Sequence, residues 1–340
     1  MNFQTADIAA PDYAPSALHK PRQAFSVTHQ HIFTILQTLI KEGRVPETGP
    51  TLRILDIGCG DGRLIHSLQT LFERHMPDRQ VEIHGFDVGE HGYKDSSQLA
   101  CTLDLLSRSH PGIDWSRRIR LISDGDPWGY APGSFDIAVS NQVIEHVEDL
   151  PHFLKNLRET LAPGGQSVHV FPLSQCMQEA HCRVPFSHWI KDYNYRIAWI
   201  GLLSRMGIGR YRLDRTLLGH ETVAKHAEET AKFIECWTTY RSFGEIARAA
   251  SELGMATSYH FTKNLLSTKL RQLARRPAAQ RYRRWTPFGL EWLSFFAVGS
   301  ITSATLVISP LRYDIGARIA AEKAHRAKRE QCGPHQEAAE

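Results

Sequence analysis

At 340 residues, with 42% apolar and 22% charged side chains, the chain has the make-up of a globular protein and the length for one large domain with a sizeable insertion. A net charge of +4 excludes a polyelectrolyte binder. Six scattered cysteines without a Cys-x-x-Cys pair argue against structural zinc; with no secretory pattern at the N-terminus they read as reduced, cytoplasmic thiols.

Residues 1–27 read as a flexible arm, polar and dotted with proline. Thr28 to Glu42 carries Ile32, Phe33, Ile35, Leu36, Leu39 and Ile40 at helical spacing, stopped by Gly43 and Pro46. Leu52, Ile54, Leu55 and Ile57 predict a short buried strand. Gly58, Gly60 and Gly62 follow at alternate positions, then a helical pattern to about His75. A strand, a glycine turn and a helix in this order form the first unit of a nucleotide-binding α/β sheet. Such glycines let the backbone pass close to a ligand where a Cβ would collide.

The spacing Asp56-x-Gly58-x-Gly60-x-Gly62 is not the Gly-x-Gly-x-x-Gly of dinucleotide binders. Without a following Lys-Ser/Thr it is not a P-loop either. Asp56 sits where it can accept a hydrogen bond from a cationic or amino-bearing ligand. Val81 to Val88 predicts a second strand ending in Asp87, 31 residues after Asp56. An acid there suits the two hydroxyls of a ribose, although alone it would read as a strand-end turn residue.

Leu99, Leu103 and Leu106 mark a helix, and Ile119 to Ser123 a third strand. Phe135 to Ser140 reads as an apolar, central strand. Asn141 to His146 follow at its carboxyl end, the edge at which open α/β sheets bind ligands. Glu148 to Leu161 predicts a helix ended by Pro163-Gly164-Gly165, and Gln166 to Pro172 a fifth strand.

The glycine turn resembles motif I of the class I S-adenosylmethionine-dependent methyltransferases. The run from Phe135 to Gly165 is similar to that family's pattern of Phe-Asp, strand, Glu-His-Val, helix and Leu-x-Pro-Gly-Gly. The resemblance implies an α/β, Rossmann-like, seven-stranded mixed sheet with helices on both faces, plus helical insertions. It implies S-adenosylmethionine as cofactor, with contacts on Asp56, Gly58, Cys59, Gly60, Gly62, Asp87, Val88, Asp124, Gly125 and Asn141. By that alignment Asp124 accepts from the adenine amino group beside the Gly125 amide, with Asp126 a rival. Trp128 is either a stacking platform or core. The helix at 28–42 would pack beside the ligand site.

After Pro172 the family pattern departs, and about seventy residues intervene before Ser242. Long insertions in compact domains are usually lids or binding elements. Glu221 to Thr239 and Phe243 to Leu253 read as helices, and Met255 to Thr262 as a strand. The domain is expected over 28–314, with insertions at 173–241 and 263–300 and a charged tail at 315–340. If the acceptor is a hydroxyl or amine, a base is needed, and histidine suits that role at neutral pH. His181 and His188 in the insertion rank ahead of His146, whose Glu-His setting also fits cofactor-side packing. Glu179, His181 and His188 do not form a recognised metal spacing, so no metal is expected.

The reading favours O-methylation of a small-molecule, glycan- or lipid-linked acceptor. No Asn/Asp-Pro-Pro-Tyr/Phe follows the fourth strand, and there is no Pro-Cys pair. Lys263 to Arg284 carries eight Lys/Arg and no acid, while Trp292 to Ser309 has no charge. The basic stretch leaves RNA or protein methylation as an alternative, and a non-catalytic cofactor-binding or membrane-associated scaffold as another. Eighteen uncharged residues reach the lower limit of a membrane span. Their Gly, Ser and Thr content, and Ala304 to Ser309 as a final strand, favour peripheral contact with the inner face of a membrane instead.

Overall fold

In the computed structural model, residues 25–46, 49–89, 96–218, 222–276, 279–282 and 290–311 are described. The expected N-terminal arm to residue 24 and the tail at 315–340 lie outside them. Residues through Pro310 form one compact unit; a second, from Leu311 on, lies outside the described residues but for Leu311.

Seven strands form one sheet in the order β3-β2-β1-β4-β5-β7-β6. They are β1 (Thr51–Ile57), β2 (Gln80–Val88), β3 (Ile119–Ile122), β4 (Phe135–Asn141), β5 (Leu161–Phe171), β6 (Met255–Ser258) and β7 (Ala304–Pro310). Pairing is parallel from β3 through β5, and β7 runs antiparallel to both β5 and β6. This is the expected Rossmann-like mixed sheet.

Successive side chains of a strand point to opposite faces. Leu52 and Ile54 of β1 accordingly join one core with Ile32, Leu36, Ile65 and Leu68, from α1 (Val27–Lys41) and α2 (Arg63–His75). Leu55 and Ile57 join the other, with Leu154, Leu157 and Ile246, from α4 (Leu150–Thr160) and α8 (Phe243–Glu252). Two covered faces explain why β1 and β4 read as nearly continuous apolar runs. Between α2 and α4 lies α3 (Ser96–Ser109). Buried His31 ties α1 across the chain, with Nδ1 2.8 Å from the Tyr282 hydroxyl and Nε2 2.9 Å from Thr305 Oγ1.

Three expectations shift. Pro163-Gly164-Gly165 does not end a helix. The helix stops at Thr160, and the Pro-Gly-Gly run is the irregular start of β5, where the register with β4 slips between Phe135 and Ile137. The sixth strand stops at Ser258, because Tyr259–Phe261 turn the chain into α9 (Thr262–Leu273). The uncharged run from Trp292 is split between α10 (Leu290–Ile301) and β7. No helix among the described residues is long and apolar enough to cross a membrane.

The insertion folds on itself. Asp192 caps α5 (Tyr193–Arg205) by accepting from the Tyr195 amide, and Thr222 caps α7 (Val223–Trp237) through the Lys225 amide. α6 (Tyr211–Leu218) lies between them in sequence. Cys182, Val184, Ile200, Leu203, Ala227, Ala231 and Ile234 make a small core of their own. The next helix, α8, opens with a full capping box between Ser242 and Glu245.

Candidate active site

One wall is built at the carboxyl ends of β1 and β2. Gly58 has φ +68°, and a Cβ there would lie 2.5 Å from Val143 Cγ2, so only glycine lets the turn touch the loop after β4. Gly60 has φ +50°, and a Cβ there would meet nothing within 4 Å. Its amide donates to Asp87 Oδ2 at 2.6 Å, while the Val88 amide donates to Oδ1 at 2.8 Å. Asp87 thus fastens the glycine turn to the end of β2. Gly62, at φ +75°, leads into α2.

Asp56 is 1% exposed, and neither carboxylate oxygen has a hydrogen-bond partner. Burial, with the negative charges of Asp87 and Asp61, pushes its pKa well above the usual carboxylate value. The buried Asn141 Oδ1 at the end of β4 also lacks a partner. Open space at Gly60, with unsatisfied acceptors at the carboxyl ends of β1 and β4, fits a ligand that brings hydrogen-bond donors or positive charge. Cys59 turns its buried sulfur toward Gly85, leaving only its backbone to face a ligand. Asp124, Gly125 and Asp126 stand on the exposed turn after β3, where the Gly125 amide donates to Asp124 Oδ1 at 3.0 Å. Trp128 is core: it is buried, 5.0 Å from the Phe86 ring and 5.4 Å from Phe153.

A second group of residues begins three residues beyond β4, where Ile144–His146 make one 3₁₀ turn. The segment after α7 clamps it. The Thr239 amide donates to the Glu145 carbonyl at 2.6 Å. Arg241 donates to the carbonyls of Val147 and Glu148, each at 2.6 Å. His146 Nδ1 lies 2.6 Å from the Trp237 carbonyl, which only accepts, so Nδ1 carries the proton and Nε2 the lone pair.

His146 Nε2 faces His181 Nε2 at 3.2 Å. The other nitrogen of His181, Nδ1, donates to Glu179 Oε1 at 2.7 Å. Glu179 is fully buried and also accepts from the Tyr240 hydroxyl at 2.5 Å and from the His181 and Cys182 amides. Burial alone would raise Glu179, but the hydrogen bond and charge of His181, with Tyr240 and the Cys182 amide, bring it down to about 2. His181 shows the mirror effect: burial opposes its charge, and Glu179 more than offsets that and raises it. Glu145, 1% exposed, accepts from no other residue through its carboxylate; burial raises it to about 8.

The structure therefore joins two of the three predicted histidines. His188 is not in that contact; its buried ring packs 4.5 Å from Tyr240, and burial lowers its pKa. The grouping of Glu179, His181 and His188 also changes, because Glu179 serves as hydrogen-bond partner of His181. The three groups that converge are Glu145, His146 and His181, whose potential ligand atoms lie within 4.8 Å of one another. The expectation of no metal rests on the scattered cysteines and on the spacing of Glu179, His181 and His188, and does not weigh Glu145 with His146. Glu145 was readable beside His146. Tyr240 and Arg241 carried no local signal, being joined to their partners across 61 and 94 positions.

A family model described as a methyltransferase domain matches residues 27–296. A ubiquinone biosynthesis O-methyltransferase of Caulobacter sp. strain K31 is 31% identical over 123 residues, 36% of this chain and 41% of that protein. A malonyl-[acyl-carrier protein] O-methyltransferase of Halorhodospira halophila is 29% identical over 114 residues, 33% of this chain and 32% of its own length. The chain spans about two fifths or less of the length of these curated relatives. A solved structure, PKMT2 from Rickettsia typhi, is similar with a TM-score of 0.44 and 16% identity, covering 82% of this chain and 53% of that one.

Proposed function

The chain belongs to the methyltransferase-domain family, whose methyl donor is S-adenosylmethionine, and on that premise we propose that it methylates an oxygen of a small acceptor. The domain is read as 28–314, with insertions at 173–241 and 263–300. The observation that carries the reading is the double contact of the loop after β4. Through Val143 it touches the glycine turn, and through His146 it touches His181 of the insertion. Donor and acceptor sides thereby share one short loop.

When bound, S-adenosylmethionine supplies an activated methyl group on a sulfonium. The chain's part is to hold the acceptor oxygen in line with it, which is a proximity and orientation effect. Asp87 is assigned to the ribose hydroxyls, Gly60 and Asn141 to the surrounding cradle, Asp56 to the cationic amino end, and Asp124 with Gly125 to the adenine edge. The acceptor hydroxyl is placed at the His146–His181 pair, which Glu179, Tyr240 and Trp237 hold fixed. Oxygen is favoured because two relatives bear O-methyltransferase names.

A second observation bears on the acceptor's whereabouts. Trp292, Leu293 and Phe296 of α10 are 60%, 55% and 49% exposed, and Leu273 of the adjoining α9 is 83% exposed. Lys263, Lys269 and Arg271 lie on the same basic helix. Exposed apolar side chains on a helix adjoining a basic one suit an anionic lipid surface, which supports a lipid-linked acceptor. Sedimentation with phosphatidylserine vesicles is expected to carry the protein down, and equal recovery with neutral vesicles would contradict the contact.

The function is tested by incubation with labelled methyl donor and fractionated lysate, followed by mass analysis. Label on a small or lipid-linked hydroxyl is expected. Label confined to RNA or protein, or tight donor binding without any transfer, would contradict the reading.

A further inference from the structure

We propose that Glu145, His146 and His181 bind a divalent transition-metal ion, which takes the acceptor oxygen as a further ligand; the second clause rests on the methyl-transfer reading above.

The argument starts from hydrogen-bond accounting. His146 spends its Nδ1 proton on the Trp237 carbonyl, and His181 spends its own on Glu179. In the neutral rings both Nε2 atoms then carry lone pairs, and these point at each other across 3.2 Å. Two facing lone pairs repel unless something positive lies between them. A shared proton would satisfy the nitrogens alone and leave both oxygens of the adjacent Glu145, 1% exposed, without a hydrogen-bond partner whether the group is charged or protonated. A divalent cation satisfies all three groups.

The distances agree. Two imidazoles bound at about 2.0–2.1 Å around a tetrahedral ion stand about 3.3 Å apart, close to the 3.2 Å found here. A Glu145 carboxylate oxygen and one nitrogen of each ring lie within 4.8 Å of one another.

The surroundings are those of a metal site. Each ligating histidine has its distal nitrogen anchored, one by a backbone carbonyl and one by a buried carboxylate, which fixes tautomer and ring orientation. Glu179 is itself held by Tyr240 and two amides. Two imidazoles and one carboxylate select zinc, iron, cobalt or manganese over calcium. Three protein ligands leave a position open for a water or an acceptor hydroxyl. An acceptor with a phenolic or enolic oxygen is the class that such an ion would orient.

The test is a zinc(II) titration of chelator-stripped full-length protein, with stoichiometry read by elemental analysis and folding by circular dichroism. One equivalent is expected. His146→Ala and His181→Ala should each weaken binding by at least about 100-fold. Tyr240→Phe, which keeps every ligand and loosens only Glu179, should weaken it by about 10-fold. Less than a tenth of an equivalent in the folded wild type would overturn the proposal. So would undiminished zinc in a folded His146→Ala/His181→Ala variant. Calorimetry with S-adenosylhomocysteine runs beside it: donor binding without zinc sinks the ion alone, whereas failure of donor binding sinks the methyl-transfer reading.

Discussion

The proposed donor wall and the proposed acceptor wall meet at the loop after β4 but are assembled differently. Asp56, Gly58, Gly60 and Gly62 lie within one strand and its turn, and Asp87, near the end of the neighbouring β2, accepts from the Gly60 amide. On the other side, His146 reaches Trp237 across 91 positions, and Tyr240 reaches Glu179 across 61. The first wall is set by backbone conformation, through positive φ angles that few residues tolerate. The second is set by side chains brought together only when the insertion docks. Its helices present a separate small core and no motif of their own.

This contrast yields tests that strike one wall and spare the other. The largest effect is expected for His181→Ala. Turnover should fall by about 10²- to 10⁴-fold, the usual scale for losing a proton-handling or orienting group. Donor affinity should stay within about twofold; a parallel loss of donor binding would erase the distinction between the walls. Gly60→Val should do the reverse. A β-branched residue at φ +50° is strained by about 1–3 kcal/mol, and it fills the cradle. S-adenosylhomocysteine binding by calorimetry should weaken by about 100-fold, and unchanged binding would remove the turn from the site.

Asp87→Ala should cost donor affinity about 10- to 100-fold. Hydrogen bonds to a charged group are worth about 1.5–3 kcal/mol, and the Gly60 anchor is lost together with the proposed ribose contacts. The smallest effect concerns stability. Because the fold raises Asp56 above its unfolded value of 3.8, its favourable contribution is complete below that value. It is lost as pH rises toward the folded pKa. Asp56→Asn without donor should therefore melt a few degrees higher at neutral pH and lose part of the wild type's decline with rising pH. A lower melting temperature would show that the carboxylate has a partner.

The same contrast explains what could be read from the chain beforehand. Residues 51–172 announce themselves because glycine spacing, strand alternation and Glu145-His146 are local patterns. The sheet follows, including antiparallel β7 at Ala304–Pro310. The Pro163-Gly164-Gly165 reading failed because a strand start with slipped register and a helix end look alike in sequence. His181 and His188 both stand in the insertion as candidates, His181 ranked first. In the structure Glu179 takes His181 two positions on, while His188 packs on Tyr240 of the segment after α7. Tyr240 and Arg241 carry no pattern because their partners lie far along the chain.

The most direct measurement is amide hydrogen exchange with and without S-adenosylhomocysteine, resolved to short peptides. Protection is expected over Ile57–Arg63, Asp87–Gly89 and Asn141–His146, with α5 and the first turns of α7 unchanged. Protection concentrated in Tyr193–Trp237, with the glycine turn unaltered, would contradict the division of the site into a sheet-borne donor wall and an insertion-borne acceptor wall.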